Sequence, residues 1–82
     1  MVLYLVKGDE DEQMYVVNRE LLKERRKSKR LSLEAIAKSL GLSSRMSYYH
    51  KESGERPFKD KEIAILVPLL GITFNDFFKQ VN

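Results

Sequence analysis

The chain has no cysteine, one histidine, two prolines and four glycines among its 82 residues. The absence of cysteine removes disulfides, thiolate metal sites and a cysteine nucleophile together. A lone histidine without a neighbouring cluster of Asp and Glu argues against a metal centre. No serine–acid set accompanies His50, so a general-base role is poorly supported, and neither an enzyme nor a cofactor is expected. No apolar run approaches the roughly 20 residues that span a bilayer. The opening MVLYLVKGDED lacks the basic-then-apolar order of a signal peptide. The expectation is a cytoplasmic protein with no membrane partner and no small-molecule substrate. At 82 residues it has room for one domain with a small core.

Charge is distributed unevenly. Lys7 to Glu12 holds one cation against four acids, whereas Arg19 to Arg30 holds seven cations against Glu20 and Glu24. A positive surface set apart from a negative loop orients a molecule toward a polyanion. Phosphate contacts made by such a surface supply affinity that falls steeply with salt.

Val2 to Val6 and Met14 to Val17 are β-branched or aromatic runs of strand length, and the polar KGDEDEQ between them reads as a turn. These residues predict an antiparallel hairpin over 1–17, an accessory to a helical unit over 18–82. Asn18 can cap a first helix, Arg19 to about Lys29, with Leu21 and Leu22 inward. A helix over Phe58 to Leu70 should face Ile63, Leu66, Val67 and Leu70 to the core. Pro68 is expected to bend it or end it early, and Gly71 to terminate it. Thr73 and Asp76 form a capping-box pattern at the start of a last short helix. Phe74, Phe77 and Phe78 are expected to close the core there.

The most informative stretch is Leu31 to Gly54, LSLEAIAKSLGLSSRMSYYHKESG. Ser32 can cap a helix whose apolar stripe is Leu33, Ile36, Ala37 and Leu40. Gly41 suits the left-handed backbone that ends it. Ser43 or Ser44 can cap a second helix running toward Glu52 and stopping at Ser53-Gly54. Its surface offers Arg45, Met46, Tyr49 and His50, side chains able to read base edges or stack. This is a helix-turn-helix pattern with a recognition helix. Arg45 can bond guanine O6 and N7 together. Met46 suits either a thymine methyl or a gap in the core. Tyr48 and Tyr49, about 100° apart on a helix, cannot both be buried.

The Leu-Ser start, the Ala37-to-Gly41 spacing, Glu52-Ser53-Gly54 and ITFNDFF from Ile72 to Phe78 resemble the phage-repressor (Cro/C1, Xre) family of DNA-binding domains. YYHKESGERPF, Tyr48 to Phe58, is similar to small regulators of Gram-positive phages and mobile elements. The resemblance covers Leu21 to Phe78. It implies a mainly α, five-helix repressor-like helix-turn-helix domain, here with an N-terminal β-hairpin. It also implies a sequence-specific regulator that binds double-stranded DNA, as a homodimer at least on DNA. By family position Tyr48 anchors the core and Tyr49 faces DNA, with Ser43, Ser44, Arg45, Met46 and His50 around it. Arg56 and Lys59 fall where the family clamps the sugar-phosphate backbone, and Arg26 and Glu52 where it forms a structural ion pair.

The chain departs from the family pattern at four places. Arg25 stands where an apolar residue is usual, Arg30 where glycine is common, and Leu33 where glutamine often braces a phosphate contact. The turn between Gly41 and the next helix is one residue longer, which we place at Leu42-Ser43. Leu33 and that turn keep open an alternative, a helix-turn-helix module that binds another regulator, of antirepressor or antitoxin type. For self-association, the sequence nominates the strand edges around Val2 to Val6, or the last helix through Phe77 or Phe78.

Overall fold

The computed structural model describes residues 3–7 and 12–81, with side chains from Met14 onward. The acidic turn at 8–11 lies outside the described residues. The fold is mainly helical, with a small antiparallel sheet. Its elements are β1 (Leu3–Lys7), β2 (Glu12–Val17), α1 (Arg19–Ser28), α2 (Leu33–Ser39), α3 (Arg45–Glu52), α4 (Asp60–Leu70), α5 (Phe74–Phe77) and β3 (Phe78–Val81).

The sheet corrects the expectation of a bare hairpin. β1 pairs with β2, and the far edge of β2 pairs with β3, giving a three-stranded order β1-β2-β3. Val17 stands opposite Phe78 and Met14 opposite Val81. A two-stranded ribbon is marginal in water, and a third strand with a buried residue beneath it relieves that. Val16 supplies the buried residue, and the Asn18 amide donates to the Phe77 carbonyl at 2.8 Å, joining sheet to helices.

Local sequence explains how the helices begin. Asn18, Ser32, Ser44 and Thr73 each accept a backbone N–H from the first turn of α1, α2, α3 and α5. Thr73 and Asp76 form the reciprocal box, each bond 3.2 Å. α4 begins at Asp60, two residues later than the sequence pattern indicated, because Glu62 Oε1 accepts the Lys59 amide at 2.8 Å.

The four longer helices also end alike. Arg30, Gly41, Gly54 and Gly71 all have positive φ, and the residue after each returns its N–H to the preceding turn. Leu31, Leu42 and Ile72, the residues after three of these, pack into or against the core. The fourth, Glu55, is exposed. At Arg30 a non-glycine residue carries φ 57°, the place where the resembled family favours glycine.

α4 does not stop early. It continues past Pro68 to Leu70 before Gly71 closes it. Pro68 and Ala64, one turn before it, both lie on the exposed side, so the carbonyl deprived of its donor faces water.

The core comprises Leu22, Ile36, Ala37, Leu40, Tyr48, Phe58, Ile63, Leu66, Val67, Leu70, Ile72 and Phe77. Phe77 is wholly buried, edge-on to Phe58 and Phe78 at 5.3 and 5.0 Å. It is therefore not a surface for self-association. Phe74, expected in the core, is instead 57% exposed at the first position of α5.

Candidate nucleic-acid interface

α3 is fixed beneath and along its flanks, and its outer face is left open. Ser44 Oγ accepts the Ser47 amide at 3.3 Å, and the hydroxyls of Ser43 and Ser44 each lie within 3.3 Å of Ser47 Oγ. The longer turn before α3 thus leaves Ser44 as the cap.

Tyr48, Lys51 and Glu52 form the buried face, at the i, i+3, i+4 spacing of a helix. Tyr48 packs against Phe58, with ring centroids 6.3 Å apart. Its hydroxyl is buried and has no hydrogen-bond partner among the described residues. Burial pushes the phenol well above its ordinary pKa, and the nearby Glu52 carboxylate adds to this while Arg26 opposes it.

Two buried ion pairs leave α3 in different directions. Glu52 meets Arg26 of α1 through two bonds, Nε to Oε2 at 2.9 Å and Nη2 to Oε1 at 3.1 Å. Arg26 Nη1 also reaches the Leu31 carbonyl at 3.4 Å. Lys51 meets Glu62 of α4, Nζ to Oε1 at 2.6 Å, and donates to the Pro57 carbonyl at 3.1 Å. Sequence reasoning passed over Lys51 and Glu62. Their phase was legible, because Lys51 follows Tyr48 by three and Glu62 follows Lys59 by three, but their pairing across the fold was not.

The outward face carries Arg45, Met46 and Tyr49, all exposed. Met46, at 46% exposure, is not core filler. His50 is half-buried, with Nδ1 hydrogen-bonded to the Glu55 carboxylate and its ring beside Tyr49. His50 keeps its place in the groove lining while making that contact.

A groove runs along each side of α3. Arg19, Lys23, Arg26, Leu33 and Tyr49 line part of the one facing α1. Ser43, Met46, His50, Arg56 and Lys59 line part of the other. Lys23, Arg56 and Lys59 are exposed, so free cations border both sides. The remaining cations of the basic segment, Arg25, Lys27, Lys29 and Arg30, do not line the first groove. Arg19 donates through Nη1 to the Ser53 carbonyl at the end of α3. Gly54 suits this position through its φ of 91°, while a Cβ would stand 2.7 Å from Arg19 Nη1, a side-chain end that can shift.

Among the described residues no group of His, Cys, Asp or Glu is arranged to hold a metal ion. Among the described residues no helix is long and apolar enough to cross a membrane. No protein-family model, curated protein or solved structure matches the chain.

Proposed function

We propose that the chain is a sequence-specific DNA-binding transcriptional regulator of phage-repressor-like type. In this reading α2 and α3 form a helix-turn-helix and α3 enters the major groove of double-stranded DNA. The observation that carries it is the division of α3 into two faces. Tyr48, Lys51 and Glu52 hold one face down, while Arg45, Met46 and Tyr49 stand free on the other between two cation-bordered grooves. A helix read by DNA needs that division: rigid support behind, base-reading groups in front, and phosphate contacts on either side.

Roles follow from position. Arg45, at the first turn, faces guanine edges. Met46 meets a thymine methyl, and Tyr49 stacks or bonds along the groove wall. Ser43 and Ser44 approach the backbone at the helix N-terminus. Arg56 and Lys59 take phosphates on one side and Lys23 on the other. His50 supports this surface through Glu55. The chain acts as a binding protein in the cytoplasm, without a cofactor or small-molecule substrate. It binds as a homodimer on half-sites about 34–36 Å apart.

Site selection from a random duplex pool with the purified protein tests this reading. A defined motif with salt-sensitive affinity is expected. No binding at low salt would overturn it and favour a module that binds another regulator.

A further inference from the structure

We propose that Lys51 and Glu62 are positioning residues for the phosphate-contacting pair Arg56 and Lys59. This rests on the DNA-binding reading above. Arg56 and Lys59 lie in the connection between α3 and α4, where backbone conformation alone decides where long side chains begin. Their side chains are exposed and take part in none of the ion pairs among the described residues. Something else must hold their backbone.

The buried pair does so at two points. Lys51 and Glu62 are only 8% and 5% exposed. Lys51 Nζ holds the Pro57 carbonyl, the residue after Arg56, at 3.1 Å. Glu62 Oε1 takes both Lys51 Nζ at 2.6 Å and the amide of Lys59 itself at 2.8 Å. On the other side, the His50 carbonyl accepts the amides of Glu55 and Arg56 at 2.8 and 3.0 Å. Arg56 is thus gripped before and after, and Lys59 directly. Phe58 between them is buried in the core, which pins the centre of the segment.

A buried ion pair is a weak source of stability, because apolar residues of similar volume often serve as well or better. What apolar residues cannot do is hold a carbonyl and an amide of a loop at fixed directions. The pair therefore buys placement, and the groups placed are those beside α3 that face phosphate.

The test is a salt-dependence cycle on the full chain, using the duplex that site selection returns. Each phosphate contact adds about 0.9 to the slope of log affinity against log salt. In Lys51→Met with Glu62→Gln, the amide oxygen of the new residue still serves the Lys59 amide while the grip on Pro57 is gone. The slope should fall by about 1, with base preference unchanged, because Lys59 stays held. Arg56→Gln should cause the same loss, and the three changes together should lose no more. Lys51→Met alone is the second variant if the pair change unfolds the domain, and a fall of the same size is expected because the grip on Pro57 is lost there too. A folded variant with the wild-type slope, or losses that add in the combined variant, would overturn the positioning role alone. If the wild-type chain shows no salt-dependent binding to any duplex, the DNA-binding reading and this inference fall together.

Discussion

The two ion pairs beneath α3 begin at adjacent residues, yet they differ in construction and in what they tie down. Glu52 is met by a guanidinium, through two near-parallel bonds, from another helix. Lys51 is met by a single carboxylate oxygen that also serves a backbone amide, and its ammonium reaches on to a carbonyl. The first pair joins helix to helix and sets the angle of α3 against α1. The second joins a helix to a connection and sets the path of the chain between α3 and α4. Guanidinium geometry suits the planar two-point contact, whereas the three donors of an ammonium suit partners in several directions.

The largest expected effect tests the helix-to-helix pair. Arg26→Met should destabilise the domain by about 3–5 kcal/mol, because it strands a buried carboxylate. Adding Glu52→Leu should recover much of that loss in urea unfolding. Additive losses would mean that the two charges do not support one another.

Lys51→Met should cost less, about 2 kcal/mol, because Glu62 keeps the Lys59 amide as a partner. A loss equal to that of Arg26→Met would erase the distinction between the pairs. The same unfolding measurement decides it.

Arg45 lies on the face that neither pair covers. Arg45→Ala should leave the unfolding midpoint almost unchanged and relax preference at one base position by about 1–3 kcal/mol. Equal weakening on all sequences would instead make Arg45 a phosphate contact and shift the register of α3 on DNA.

Tyr48 sits between the two pairs, near the Glu52 carboxylate, with a buried hydroxyl that has no hydrogen-bond partner among the described residues. Tyr48→Phe should stabilise the domain at neutral pH by about 1 kcal/mol, the cost of a buried hydroxyl left unbonded. The sign with pH follows from the raised pKa. The unfolded chain releases the tyrosine proton above pH ~10 while the folded chain retains it, so wild-type stability falls as pH rises beyond that point. The phenylalanine variant should lose less over the same range. Parallel alkaline unfolding curves would show that the hydroxyl releases its proton equally readily in the folded and unfolded chains.

What could be read along the chain depended on how far each partner lay. Asn18, Ser32, Ser44 and Thr73 were legible as caps because each bonds an amide three residues away. Ile63, Leu66, Val67 and Leu70 were legible as one buried face because burial follows helical spacing. Tyr48 and Tyr49 separated for the same reason, one inside and one out. Phe74 misled because an aromatic residue in a single helical turn gives no period to read. Pro68 did not end α4 early, because its cost depends on whether the orphaned carbonyl meets water, and that is a property of the surface.

By itself, then, the sequence determined the helices, the capped starts of α1, α2, α3 and α5, the glycine ends of α2, α3 and α4 and the outward face of α3, all of which rest on contacts within about one turn. Only the tertiary structure decided that Phe78–Val81 would leave helix for strand, since those residues carry too short a pattern and owe their form to the open edge of β2. It alone also decided that Lys51 would be buried rather than solvated. A lysine enters an interior only where a carboxylate and a carbonyl stand ready, and here they come from Glu62 and Pro57, which the fold brings to it.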